Sequence, residues 1–387
     1  EPDADGHFRW VYEDLNFFLA ATRDRPRYFE TQAEDPSLKI LAVLTGIPEE
    51  YKVVQEGRIT GIAGLEEPVF LASREINPAN RWGQFVYQVS STFGTVVDAW
   101  EIGNENELPL PPPAYARAME VACQVLATTD PTGEVLLGAP EHLIALRTAR
   151  GEQTDYRTLL EILAAKVRSS DNLHTCIGGL ALHVYERPTH SHYIISRIAD
   201  LTSDLGWQPE VWITETGVQH PDRDDPRRPD PALCRETSFP CVSDVEQASY
   251  LIQQYALAMQ ALAQKDREGV VIYHRLKDEF DRDPHPEVND GPWGLMDLEN
   301  RLLPAYRAAR LTSAMLGGAR YLREEAEDDP TCRHLLFADP ARRLVHVLWA
   351  TTSQTVTVNV PVCPGRTICY QQDLSPVSYT HLTLPTN

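Results

Sequence analysis

Positive charge is what this chain of 387 residues has least of: 35 Lys and Arg stand against 56 Asp and Glu, a formal net charge of −21. With no basic footprint, nucleic acid and an anionic membrane face are not expected partners. Long apolar runs are missing as well. No stretch approaches the ~18 residues of a membrane-spanning helix, so no membrane partner is expected. The chain opens Glu1-Pro2-Asp3-Ala4-Asp5-Gly6, with neither an initiating Met nor a basic-then-apolar leader, so its true amino terminus is expected upstream. The seven cysteines include no Cys-x-x-Cys pair of the kind that holds zinc or does redox work. Cys234 and Cys241 flank a short Pro-containing loop and are candidates for a disulfide, as is a pairing among Cys332, Cys363 and Cys369; unpaired thiols are the competing reading. An extracellular or periplasmic location is the expectation, a cytoplasmic one the alternative.

What is present is a repeated grammar in which an apolar run ends in a carboxylate. Val97-Asp98-Ala99-Trp100-Glu101-Ile102-Gly103-Asn104-Glu105-Asn106-Glu107 opens like a buried strand and closes in amides and acids, which a buried strand does not carry without a task. Val211-Trp212-Ile213-Thr214-Glu215-Thr216-Gly217 repeats the pattern and ends in small residues that allow a tight exit. Glu105 and Glu215 are therefore candidate partners across a cleft. Two carboxylates on different strand ends are the minimum equipment for breaking a glycosidic bond, one as acid/base and the other as nucleophile or base.

The length fits one barrel-sized domain and a smaller one. Seven strand-like runs precede residue 316: 7–10, 39–44, 97–105, 135–140, 177–185, 211–217 and 270–274. Between most of them lie helical patterns, among them 80–93, 115–127, 159–167, 193–205 and 245–265, and 304–316 closes the series. The proline cluster Pro109, Pro111, Pro112 and Pro113 suits a helix entrance, where a missing N–H costs nothing. Alternating β and α units with polar strand ends favour a (β/α)8 TIM barrel over 1–316, its first strand expected upstream of Glu1. Short strands around 334–337, 344–349 and 355–360 make 317–374 a small all-β, sandwich-like domain. Residues 375–387 continue no pattern, resemble translated cloning sequence and are expected to be a non-native tail.

The segments Trp100-Glu101-Ile102-Gly103-Asn104-Glu105 and Trp212-Ile213-Thr214-Glu215-Thr216-Gly217 resemble the two catalytic strand ends of retaining glycoside hydrolases of the (β/α)8-barrel clan A, with the nearest look to families 39 and 5. The resemblance spans about residues 7 to 316. It implies that Glu105 is the acid/base, Glu215 the nucleophile, and Asn104 a donor to the sugar's 2-hydroxyl. Tyr185 and His183 stand where the clan often places an aromatic or His near the nucleophile, and Arg9 on the strand that carries an arginine beneath it. The clan's Trp at the end of the last strand is replaced here by Tyr273-His274-Arg275, so Trp293 in the following loop is the candidate sugar platform.

The expected activity is double-displacement hydrolysis of β-glycosidic bonds in a plant- or microbe-derived glycan, of xyloside or glucoside type. The partner is an oligosaccharide or polysaccharide, with no cofactor and no metal. A catalytically inactive carbohydrate-binding barrel is the alternative, and an inverting or non-glycosidic hydrolase a third. Glu101 and Glu107 read as helpers or surface acids, and His142, His220, His274, Lys277 and Asp278 as cleft candidates. The histidines His183, His190 and His192 have no carboxylate ligand pattern to make them a metal centre.

Overall fold

The computed structural model describes residues 39–105, 109–185, 187–219, 242–276, 293–297, 300–325, 332–350, 369–370 and 376–377. The expected strands at 7–10 and 355–360 and the 220–243 insertion lie essentially outside them, as do Arg9, Glu107, His220, Cys234, Cys241, Lys277, Asp278 and Cys363. The chain divides into two compact units, Glu1–Leu182 with Asp200–Trp212, and His183–Ala199 with Ile213–Asn387.

In the first unit the order is β1 (Leu41–Leu44), a hairpin of β2 (Lys52–Gln55) and β3 (Arg58–Ile62), α1 (Arg81–Phe93), β4 (Ala99–Asn104), α2 (Pro112–Thr129) and β5 (Glu134–Ala139). Then come α3 (His142–Ala149), α4 (Asp155–Ser169), α5 (Asp171–Cys176) and β6 (Ile177–Tyr185), whose last three residues belong to the second unit. Local signals set these boundaries. Asn80 caps α1 by accepting from Gly83 N at 2.8 Å, Thr154 caps α4 through Arg157 N, and the prolines at 112 and 113 occupy the first turn of α2. The strands pair in parallel, Leu41 opposite Ala99, Ala99 opposite Glu134 and Leu137 opposite Leu180. The apolar runs of β4, β5 and β6 are buried because helices cover the sheet. Trp100 is wholly buried and donates from Nε1 to Asp130 Oδ2 at 2.8 Å. A disulfide joins Cys123 of α2 to Cys176 at the end of α5, a pairing that loop spacing does not reveal.

The amino ends of β5 and of the strand that begins at Glu210 bring two acids together. Burial, and then the charge and hydrogen bond of Glu210, push the Glu134 carboxyl from its ordinary 4.5 up to about 7. The folded chain thus binds this proton more tightly than the unfolded chain. Its contribution is complete below pH ~4.5 and is lost as pH rises through about 7. Glu134→Gln is expected to flatten that slope and to add about 1 kcal/mol at pH 8, a figure reduced for the solvent screening of a half-buried group. Urea midpoints at pH 5 and pH 8 check this; an unchanged pH slope in the variant contradicts it.

The second unit contains α6 (Pro188–Asp204) as far as Ala199, β7 (Glu210–Gly217) from Ile213, α7 (Asp244–Gln264), β8 (Val271–Tyr273) and α8 (Pro304–Leu316). It ends with β9 (Arg320–Glu324), β10 (Cys332–Ala338), β11 (Leu344–Ala350) and the short pair β12 (Cys369–Tyr370) and β13 (Pro376–Val377). A capping box between Ser243 and Glu246 starts α7. Strand β8 lies parallel to β7, Ile213 opposite Val271. The three-stranded antiparallel sheet β11-β10-β9 buries Leu335, Phe337 and Val345 against Ala256 and Leu257 of α7 and Leu316 of α8. Cys332 at the start of β10 is buried, and the side chains of Cys363 and Cys369 considered beside it lie outside the described residues. In the parallel sheet the strands follow chain order, β1-β4-β5-β6-β7-β8. This is the helix-flanked sheet of a (β/α)8 barrel with six of its strands among the described residues, followed by the small β region that the sequence led one to expect.

Candidate active site

Three consecutive strand ends of the second unit converge on Glu215. Tyr185 closes β6, Glu215 sits two residues before the end of β7, and His274 follows β8. The Tyr185 hydroxyl donates a short hydrogen bond to Glu215 Oε2. His183 Nδ1 lies 3.5 Å and His274 Nδ1 3.7 Å from the same oxygen. Arg275 Nε donates to His274 Nε2 at 3.2 Å, which makes that nitrogen the acceptor and leaves Nδ1–H facing the carboxylate. The Glu215 side chain is 26% exposed and His183 beneath it 1% exposed. The carboxylate is therefore reachable from solvent, as is His274 at 22% exposed, whereas His183 is not.

The two-residue spacing of His183 and Tyr185 places both on the Glu215 side of β6, their rings edge to face at 6.3 Å. Trp293 is buried, its ring 4.7 Å from that of Tyr185 and 6.1 Å from that of His274. It backs the tyrosine that holds the carboxylate. Thr216 Oγ1 donates to Val184 O at 2.6 Å and tethers β7 to β6 between the functional side chains. Gly217 allows β8 to approach, since a Cβ there would lie 2.8 Å from His274 O and 3.3 Å from Trp293 Cε3. The peptide between His274 and Arg275 is cis.

Glu105 stands in the first unit, directly after β4. Asn104, opposite Ala139 in the ladder, is partly buried, and Glu105 takes φ +43°, in the region that non-glycine residues rarely occupy. Gly103 before it has φ +94°. The turn is held from beneath: Tyr115 donates to Ile102 O at 2.6 Å, and the buried Glu101 carboxylate accepts from Ala139 N at 2.9 Å. Glu101 is thus an internal strut rather than a surface acid. Burial first, and the Glu101 charge second, push the Tyr115 and Tyr156 phenols up, so both stay protonated. A Cβ at Gly138 would fall inside van der Waals contact of the Ile102 and Gly103 carbonyl oxygens. Gly138→Ala is therefore expected to displace the end of β4 and to lower stability by about 1–3 kcal/mol. A thermal unfolding midpoint equal to that of the unchanged chain would contradict the close approach.

Of the other residues singled out by sequence, His274 stands beside Glu215, whereas His142 is buried at the start of α3. His192 is turned to Gln264 of α7 at 2.9 Å. The roles of Arg275, Gly138, Tyr115 and Tyr156 were not legible. Only Gly138 carried a hint, as a glycine inside an otherwise bulky apolar strand.

No family model matches the chain, and neither does any curated protein. Solved structures do match. One is a family 39 glycoside hydrolase from the gut symbiont Bacteroides cellulosilyticus WH2, at 16% identity and a TM-score of 0.60, covering 90% of this chain and 65% of that one. Another is a conserved exported protein from Bacteroides fragilis, at 11% identity and a TM-score of 0.56, covering 91% of this chain and 72% of that one. This chain thus spans about two thirds of the length of the family 39 enzyme. The likeness is one of fold: the chain shares the barrel architecture of a glycoside hydrolase.

Proposed function

We propose that the protein is a retaining glycoside hydrolase acting on β-linked glycans, with Glu215 as nucleophile and Glu105 as acid/base. The observation that carries this reading is the carboxylate of Glu215, partly open to solvent and gripped on one oxygen by Tyr185, with His183 and His274 beside it. With Oε2 taken by Tyr185, Oε1 is left for attack on the anomeric carbon. As the C1–Oε1 bond forms, the glycosidic C–O bond breaks and Glu105 gives its proton to the departing oxygen. Water then attacks the glycosyl-enzyme, passing its proton to Glu105, and Glu215 leaves as carboxylate. Asn104 donates to the sugar without adding charge, a contact suited to the 2-hydroxyl. Such a mechanism requires the two carboxyls to stand about 5–5.5 Å apart.

A xyloside or glucoside in the substrate belongs to this proposal, as does an extracellular or periplasmic location; the Cys123–Cys176 disulfide supports the oxidising compartment. The test is a panel of aryl β-glycosides, with xyloside, glucoside, galactoside, mannoside and arabinoside run beside the Glu215→Ala protein. Release from one sugar that vanishes in the variant is the expected result and names the sugar. Sugar binding with no cleavage of any glycoside would favour a binding barrel.

A further inference from the structure

Helix α7 carries two buried glutamines, Gln247 and Gln254, that the mechanism above does not use. They stand about two turns apart on the face of the helix turned to β7. Burying an amide is costly unless its N–H groups meet acceptors. Here the acceptors are carbonyls just past the site. Gln254 Nε2 donates to Gly217 O at 3.3 Å, whereas Gln247 Nε2 divides its hydrogens between Val218 O at 3.2 Å and Trp293 O at 3.4 Å. Gln247 thus ties the exit of β7 to the segment that carries Trp293. Its own helix is anchored at the same place, since Val242 N donates to Gln219 O at 3.0 Å.

Packing alone would not give this. Ala248 and Leu251 of α7 meet Leu295 in the Trp293 segment, but apolar contact is non-directional and does not fix how a ring is turned. The Gln247 Oε1 atom has no hydrogen-bond partner among the described residues, a cost that an apolar side chain of the same length would avoid. We infer that Gln247 is a positioning residue for the reaction, holding the Trp293 ring against Tyr185 and so directing the Glu215 carboxylate. This rests on the hydrolase reading above. The path is short: Gln247 Nε2 bonds Trp293 O, the Trp293 ring lies 4.7 Å from that of Tyr185, and the Tyr185 hydroxyl bonds Glu215 Oε2. A misplaced nucleophile slows bond formation while leaving the sugar's own contacts in place, so the loss belongs in kcat rather than in KM.

The test is steady-state kinetics of the full chain on the aryl β-glycoside it cleaves fastest. Gln247→Met keeps the length and removes both donors; kcat is expected to fall about 10-fold, with KM changed less than about 2-fold. Gln254→Met makes the same change on the same buried face and is expected to lower kcat less than about 3-fold. Combination with Tyr185→Phe separates positioning from lost packing. That variant keeps the ring beside Trp293 but cuts the path at its last bond, so adding Gln247→Met to it is expected to lower kcat by less than about 2-fold more. If circular dichroism shows Gln247→Met unfolded, Gln247→Asn, whose amide is one carbon short of spanning both carbonyls, enters the same cycle with the same expectations. Losses that multiply in the double variant, an unchanged kcat in Gln247→Met, or an equal loss in Gln254→Met overturns the inference and leaves the hydrolase reading standing. No hydrolysis of any glycoside by the unchanged protein overturns the hydrolase reading, and the positioning role with it.

Discussion

Replacing Glu215 with Ala is expected to lower kcat/KM on the best aryl glycoside by roughly 10⁴-fold or more, the scale on which removal of a covalent nucleophile acts. The substitution deletes the atom that forms the bond to the anomeric carbon. It also leaves Tyr185, His183 and His274 aimed at a space that held the carboxyl group. The partial exposure of the side chain makes a folding defect a poor explanation for such a loss. An unchanged far-ultraviolet circular dichroism spectrum beside lost turnover is the expected pair of results. Preserved turnover in a preparation free of contaminating glycosidase would remove Glu215 from the mechanism.

Replacing Glu105 with Ala is expected to depend on the leaving group. For a poorly activated alcohol the first step needs the proton, and kcat/KM is expected to fall roughly 10²–10⁴-fold. A 2,4-dinitrophenyl group departs without protonation, so its kcat/KM is expected to change little. Its kcat is still expected to fall, because water in the second step has lost its base. Steady-state kinetics on the two leaving groups, with one sugar, separates these cases. Equal loss of kcat/KM on both would make Glu105 a structural residue at the strained end of β4.

The strands that carry the site were legible because burial on both faces writes a near-continuous apolar run. Ile177–Tyr185 was read to the residue, as was helix Pro304–Leu316 from its proline start and spacing. Features made by distant contacts were not. The Cys123–Cys176 disulfide spans 53 positions, and local spacing pointed instead to cysteines close in sequence. The β2–β3 hairpin is absent from the strand-like runs of the sequence; Glu56 and Gly57 both take positive φ at its turn. Its short, partly exposed strands carry too few apolar residues to show alternation. His274 was noticed as a departure from a tryptophan, but its part beside Glu215 depends on where β8 ends against β7. Glu101 read as a helper or surface acid because a charge inside an apolar strand has no periodic signature; its bond to the Ala139 amide comes from the neighbouring strand.

The most direct test is covalent. The protein is incubated with the 2-deoxy-2-fluoro analogue of whichever aryl glycoside it cleaves fastest, digested, and its peptides weighed. The electronegative substituent slows both steps, and an activated leaving group lets the glycosyl-enzyme accumulate. The account expects one sugar per chain, attached to the peptide that contains Glu215. A label on another carboxylate, or turnover that inverts the anomeric centre with no label at all, would contradict it.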